Sequence, residues 1–292
     1  HRIESIYQDF LSNKSPDLVV QIKTVDVANE EQIKNRAKKP SFYHKDGSFR
    51  FGDGYVSGTY DLLERVVIVV FEKQLLLRRA CNYYLNHILC LVYYSCHYIK
   101  ASYAPASRIV HSSAVCDEGM GILFTGPSGI GKTTIANICS RHKKSIIIND
   151  EGNLISLSHG VSAPSSINGI PIFGQVDTRN KISVPLSCIL FLKQSDATEF
   201  YPIVRTQAIK RLMFQVFGYS YLGQNDKRAV LDSNIDFCEK VTRSVPSFEF
   251  RFSLDPVCVV EKLNELRQIL LLRKETHEYQ DEKESAISLA KS

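Results

Sequence analysis

Nine consecutive residues carry the densest chemistry in the chain: Gly126, Pro127, Ser128, Gly129, Ile130, Gly131, Lys132, Thr133 and Thr134. They fit the pattern G-x-x-x-x-G-K-[ST] through Gly126, Gly131, Lys132 and Thr133. The four fixed positions arise by chance in about one chain of this length in a hundred. Glycines let successive backbone N–H groups turn inward around an anion, and a helix that follows adds the positive end of its dipole. On this reading Gly126, Ser128, Gly129, Ile130, Gly131, Lys132, Thr133 and Thr134 wrap the phosphates of a nucleoside triphosphate. Lys132 reaches the β- and γ-phosphates as a point charge, and the Thr133 hydroxyl is a ligand for Mg²⁺. The alternative is a plain glycine-rich turn. Context argues against it, because an apolar strand (Ile122–Thr125) precedes the loop and a helical run (Thr133–Ser140) follows.

A second group comes after that helix. A basic turn, Arg141-His142-Lys143-Lys144, leads into a strand, Ser145–Ile148, that ends in Asn149-Asp150-Glu151. Ligands of open α/β sheets collect at the carboxyl ends of strands, so these carboxylates are expected to face the phosphates and Mg²⁺. Thr133, Asp150 and Glu151 are the expected metal ligands, with Gly152 allowing a turn that brings Glu151 round. An asparagine cannot accept a proton at neutral pH, so Asp150 is the expected base. Asn149→Asp is expected to be tolerated or activating. A solvated turn is the competing reading of the acidic pair.

The stretch VHSSAVCDEGMGILFTGPSGIGKTTIANICSRHKKSIIINDEGNLI, from Val110 to Ile155, resembles the HPr kinase/phosphorylase family. The catalytic domain of that family has the phosphoenolpyruvate-carboxykinase-like P-loop fold. There a histidine opens a strand, a short turn leads to a strand and loop of the form GxLxxGxSGxGKS, and a paired aspartate ends the next strand. His111 matches the histidine, Gly126–Thr133 the loop, and Asn149-Asp150 the aspartate pair in an ungapped reading. A one-residue slip puts Asp150 and Glu151 there instead. The resemblance implies an α/β P-loop kinase domain that uses ATP and Mg²⁺, with His111, Lys132 and Asp150 as catalytic residues. The acceptor it implies is a serine hydroxyl of a peptide or protein. The second family signature is not visible; Gly169–Gln175 stands in its region, with Arg179 and Lys181 behind it, so transfer without efficient phosphorolysis is expected. The pattern is more similar to stand-alone HPr-kinase-like proteins of modified-peptide pathways, including kinases acting on lasso-peptide precursors. The rival is a nucleotide-binding regulatory or peptide-binding module with little transfer activity, which Asn149 favours.

The elements that must position these residues divide the 292-residue chain into an N-terminal α/β lobe (1–104), a catalytic α/β domain (105–274) and a charged tail expected to be disordered (275–292). Strands are expected over Leu18–Val25, Val66–Glu72, Ile109–Cys116, Gly121–Thr125, Ser187–Lys193 and Phe248–Ser253. Turn signals on either side of Ser48–Phe51 give a hairpin. Helices are expected over Thr206–Phe217, Asp226–Thr242 and Pro256–Leu272, the last with Asp255 as its cap. Pro164–Gln175 reads either as a mobile loop over the nucleotide or acceptor or as a plain surface connection, and Phe214, Phe217, Tyr219 and Tyr221 as core. Arg179 and Arg205 are candidates for charge stabilisation, each weighed against a solvated surface role.

Composition sets the outer limits. Thirty-six Lys and Arg against 31 Asp and Glu give a net charge of +5, a mild basic balance without a stripe, so no nucleic-acid partner is expected. The apolar run Gln74–Lys100 is broken by Arg78, Arg79, Asn82, Asn86, His87 and His97 and reads as a buried helix, not a membrane span. His87, Cys90, Cys96 and His97 cluster on it, more loosely than zinc ligands do. Eight cysteines without a C-x-x-C pair and no signal pattern suggest a reduced, cytoplasmic protein. Oligomeric state is left open, a homo-oligomer included.

Overall fold

A computed structural model describes residues 19–25, 41–45, 48–52, 56–61, 66–72, 107–157, 165–172, 174, 180–216 and 227–289. The run Gln74–Lys100, Arg179, Phe217, Tyr219 and Tyr221 lie outside these residues. No helix among the described residues is long and apolar enough to cross a membrane.

The N-terminal strands are β1 (Val19–Val25), β2 (Ser41–Lys45), β3 (Ser48–Gly52), β4 (Val56–Asp61) and β5 (Val66–Glu72). They form one sheet in the order β1-β5-β4-β3-β2, with β1 parallel to β5 and the remaining neighbours antiparallel. Lys45 pairs with Ser48, which bears out an antiparallel pair at the expected hairpin. Val56–Asp61 was not anticipated; it is a strand of mixed sequence, Val-Ser-Gly-Thr-Tyr-Asp, paired on both sides.

The larger sheet is built from β6 (Ser107–Asp117), β7 (Met120–Thr125), β8 (Ile146–Asn149), β9 (Gly152–Ser156), β10 (Ser166–Gly169), β11 (Ser183–Gln194), β12 (Glu199–Pro202) and β13 (Ser247–Phe252). Its order is β10-β9-β6-β7-β11-β13-β12, with β8 paired to β6 beside β9. The strand β10 also pairs with β11, so β10, β9, β6, β7 and β11 close into a ring. Pro164–Gln175 is therefore not simply a loop: its centre, Ser166–Gly169, is a strand bonded on both sides. At the β6–β7 turn Glu118 and Gly119 take φ of +48° and +83°, the doubly positive turn that matches the twist of a hairpin.

Among the described residues four helices cover this sheet: α1 (Lys132–Lys143), α2 (Arg205–Met213), α3 (Lys227–Ser244) and α4 (Pro256–Leu289). Strand alternation sorts the core into two layers. Ile122, Phe124, Leu190 and Phe250 pack under Ile135 and Cys139 of α1 and Leu263 and Leu266 of α4. Leu123, Ile189 and Phe191 face Ala208 and Leu212 of α2 and Phe237 and Val241 of α3. The basic stretch Arg141–Lys143 is the last turn of α1, where cations meet the negative dipole end. Likewise α4 continues to Leu289, past the Leu272 at which the sequence suggested it would stop. Phe214, expected in the core, is 78% exposed just beyond α2.

A buried ion pair fastens α1 to the sheet. Lys143 Nζ lies 3.1 Å from Asp117 Oδ2, with both side chains under 7% exposed, and Ser145 Oγ donates to Asp117 Oδ1 at 2.8 Å. Lys143 also reaches Asn264 of α4. Breaking such a pair from one side strands a buried charge. Lys143→Met should therefore cost about 3 kcal/mol in denaturant unfolding, and adding Asp117→Leu should recover most of it. Equal stability of Lys143→Met and wild type would show that the pair carries nothing.

Candidate functional site

The Gly126–Gly131 loop leaves the carboxyl end of β7 and enters α1 directly. Gly126, Gly129 and Gly131 have φ of +149°, +80° and +109°, conformations that side-chain-bearing residues rarely adopt. Gly131 has a second reason to lack a side chain. A Cβ there would stand 2.8 Å from the Phe252 ring, which ends β13 and is 1% exposed. Strand β13, two places from β7 in the sheet, thus supports the loop from beneath.

Lys132 is 6% exposed and donates to the carbonyls of Gly126 at 3.0 Å and Pro127 at 3.1 Å. Burial pulls its pKa down, and the negative charge of Glu151 opposes that shift. Ser128 and Thr134 are exposed, while Ile130 and Thr133 are half-buried in and just after the loop. A loop of positive-φ glycines, a helix start and a desolvated ammonium suit a polyphosphate. Thr133, in the first turn of α1, and the Asp150-Glu151 pair supply the kind of oxygens Mg²⁺ takes, since this ion binds through one or two carboxylates plus the phosphates.

The carboxylates sit where β8 stops and the chain turns into β9. Asn149 organises that turn and is fully buried. Its Oδ1 accepts from the N–H groups of Glu151 and Gly152 at 2.9 and 3.2 Å. Its Nδ2 donates to the carbonyls of Ile170 and Ile172 at 2.9 and 2.8 Å. All four bonds need an amide; a carboxylate would face two carbonyl oxygens. The expectation that Asn149→Asp is tolerated therefore does not hold for this geometry.

Asp150 is 1% exposed, and a Cβ at Gly174 would fall inside its carboxylate. Its own carbonyl accepts from Ser113 Oγ at 3.0 Å. Glu151 points the other way: its side chain is 39% exposed and its Oε1 lies 3.8 Å from His111 Nε2. Burial raises the Glu151 pKa, the Asp150 charge raises it further, and Lys132 lowers it. His111 is pushed down to about 4, first by burial and then by Lys132, against a hydrogen bond that it donates to the Gln215 side chain. At neutral pH the imidazole is uncharged, so its approach to Glu151 is that of a neutral neighbour and not an ion pair. Its backbone N–H donates to Gln215 O at 2.7 Å.

The structure thus brings His111, Lys132, Asp150 and Glu151 into one electrostatic group beside the loop. Arg205 stands apart in an exposed pair with Glu239 at 3.2 Å. Three contributors were not singled out from sequence: Gln215 beside His111, Phe252 beneath Gly131, and Gly174 against Asp150. An N-D-E-G string does carry one usable signal, the tendency of Asn side chains to bond backbone two residues on.

No family model matches the chain, and no curated protein is similar to it. Among solved structures, the Hpr(Ser) kinase/phosphatase from Coxiella burnetii aligns with 57% of this chain and 99% of its own, at 11% identity and a TM-score of 0.32. A score that low settles neither fold nor activity.

Two measurements test the site's geometry. Asn149→Asp should destabilise the protein by about 3 kcal/mol or more, read as a lower midpoint in denaturant, because a buried charge then meets two acceptors. An unchanged midpoint would mean that the amide bonds are absent. By NMR, His111 should stay neutral until the pH falls well below 6.5, toward the value of about 4. A folded pKa below the unfolded one means that the unfolded chain takes up the proton first, so this residue's share of stability is lost as pH drops through that window. Titration of His111 near 6.5 would overturn the assigned burial.

Proposed function

We propose that the chain is a Mg²⁺-dependent kinase that moves the γ-phosphate of ATP to a serine hydroxyl of a peptide or protein. One observation carries this reading: a glycine loop with a desolvated lysine opens a helix beside a buried Asp150, an accessible Glu151 and a neutral histidine. Its organisation is that of an N-terminal lobe (1–104), a P-loop kinase domain of the HPr-kinase-like type (105–274) and a charged C-terminal segment (275–292). The family resemblance in Val110–Ile155 supports the acceptor class, and the stand-alone branch of that family supports a lasso-type precursor peptide. In this reading the protein works in the cytoplasm, without nucleic acid or membrane.

Each group then has a task. The loop amides and Lys132 hold the phosphates and keep the transferred group in place, which is most of what phosphoryl transfer requires of a protein. Thr133 and a carboxylate would hold a Mg²⁺ ion, which would supply charge neutralisation to the phosphates. The acceptor hydroxyl gives its proton to a carboxylate, its oxygen bonds to the γ-phosphorus, and the bridge to the β-phosphate breaks. Sequence alone favours Asp150 as that base, but Asp150 lies beneath Gly174. Glu151 is accessible and its proton affinity is raised, so Glu151 accepts the proton and Asp150 stands behind it, keeping that affinity up. His111 remains neutral and orients the acceptor or Glu151. The second reading, nucleotide binding without transfer, draws on the same two facts: Asn149 is fully engaged as a brace, and Asp150 is covered.

Labelled ATP, Mg²⁺ and a panel of serine peptides separate the two readings; binding without transfer across the panel favours the second. Given transfer, Lys132→Ala should abolish it while the fold survives, and Glu151→Gln should lower turnover about a hundredfold or more. Asp150→Asn should shift the acid limb of the pH–rate profile to lower pH, because it removes a charge that raises the Glu151 pKa. An unmoved limb together with a fully active Glu151→Gln would return the base to Asp150 or to neither.

A further inference from the structure

At the opposite end of the sheet from the glycine loop, a cavity of about 150 Å³ opens between the start of α2, the end of α3 and the start of β13. Its walls are partly apolar, with Ile203, Val245 and Phe248, and its polar members are Arg205, Thr242, Ser247 and Arg273. We propose that this cavity binds a small oxyanion, of the size of a phosphate or a short phosphomonoester, independently of the nucleotide loop.

Three observations converge on it. Ser247 is 9% exposed, and its Oγ has no hydrogen-bond partner among the described residues. A buried hydroxyl left without a partner costs roughly 1–3 kcal/mol, and a bound acceptor removes that cost. Next, α2 begins at Val204 with no side-chain cap and no acidic residue in its first turn. The N–H groups of Gln207 and Ala208 both turn back to the Val204 carbonyl at 3.0 and 3.1 Å, which leaves those of Arg205 and Thr206 as the outward donors of a helix start. Finally, two arginines, Arg205 and Arg273, line the same space. Arg205 is held by Glu239 in a pair whose side chains are 48% and 39% exposed, an interaction weak enough in water to be exchanged for a better anion. Glu239 also pairs with Arg243 at 3.1 Å, so it keeps a cation when Arg205 turns inward.

The cavity is held in shape without a ligand. Ile203 N–H donates to Ser247 O at 3.1 Å, and Ile189 N–H to Pro246 O at 3.0 Å. Thr242 Oγ1 donates to Cys238 O at 2.8 Å, so its hydroxyl shapes the wall and gives the anion no donor. The volume equals that of a cavity able to hold a benzene-sized molecule, which admits a phosphate group with a few attached carbons. Strand β13 joins the two ends of the domain, running from Ser247 at this cavity to Phe252 beneath Gly131.

The test is a titration of the full chain with inorganic phosphate, followed by calorimetry and by thermal melting against sodium chloride of equal ionic strength. Wild type should show a phosphate-specific rise in melting temperature. In Ser247→Ala the dissociation constant should rise about tenfold, as expected for losing a hydrogen bond to a charged group. Arg205→Ala should weaken binding at least as much. Ser247→Ala removes an unpartnered hydroxyl, so its melting temperature without phosphate should equal or exceed that of wild type, which separates lost binding from lost folding. Lys132→Ala serves as the reciprocal control and should leave the Ser247-dependent part intact. The proposal fails if phosphate gives no more than sodium chloride does. It fails equally if Ser247→Ala and Arg205→Ala leave the phosphate effect untouched while Lys132→Ala removes it, which would assign all the binding to the glycine loop.

Discussion

The four hydrogen bonds of one buried amide, Asn149, set the arrangement on which the acidic side of the site depends. A strand that ends beside a phosphate loop must reverse at once, or its carboxylates run on into the sheet. The Asn149 oxygen enforces that reversal by accepting from Glu151 and Gly152. Its nitrogen simultaneously holds the Ile170–Ile172 backbone across the turn. Further support comes from Asn180, which donates from its backbone N–H to Ile148 O at 3.0 Å and from Nδ2 to Ile147 O at 2.6 Å. Buried amides with every partner in place specify a unique geometry more than they add stability. Here the specified geometry sends one carboxylate inward and the other toward the loop.

The divergence of Asp150 and Glu151 has an electrostatic consequence. Two neighbouring carboxylates cannot both ionise cheaply in a dry site, and here burial first and the Asp150 charge second raise the proton affinity of Glu151. Lys132 tempers this on Glu151 while it depresses His111. The ammonium itself is shielded by its own loop carbonyls. Charges of both signs are thus kept close but out of direct contact, leaving the lysine free to exchange its carbonyl partners for phosphate oxygens at little electrostatic loss.

Much of this was legible in the chain, and for identifiable reasons. The glycine loop was readable because its backbone conformations demand glycine at fixed spacing, and the strands on either side because they are unbroken apolar runs. The β6–β7 turn announced itself through Asp117–Met120. The short strands β9, β10 and β12 did not, since Gly152–Ser156 and Ser166–Gly169 are polar and acquire strand form only from partners far along the chain. Pairing of that kind overrides local propensity. The contrasting fates of Asp150 and Glu151 were equally hidden. Alternation says that adjacent residues diverge, but which of them meets Gly174 is decided by a segment more than twenty residues away.

Ring closure explains why that distant segment is in place at all. Strand β10 bonds to β9 on one side and β11 on the other, and β11 is also the parallel partner of β7, from which the glycine loop springs. The ring admits this close passage only because Gly121, at the start of β7, has no side chain; a Cβ there would stand 2.7 Å from Pro185 O and collide with Ile167. The strand that carries the loop and the strand that delivers the Gly169–Gly174 cover are therefore members of one hydrogen-bonded circuit. Displacing either one strains the other. A site with its phosphate side on β7 and its acidic side roofed from β10 is held to a fixed width by backbone bonds, leaving only side chains, above all Lys132 and Glu151, to adjust to what binds.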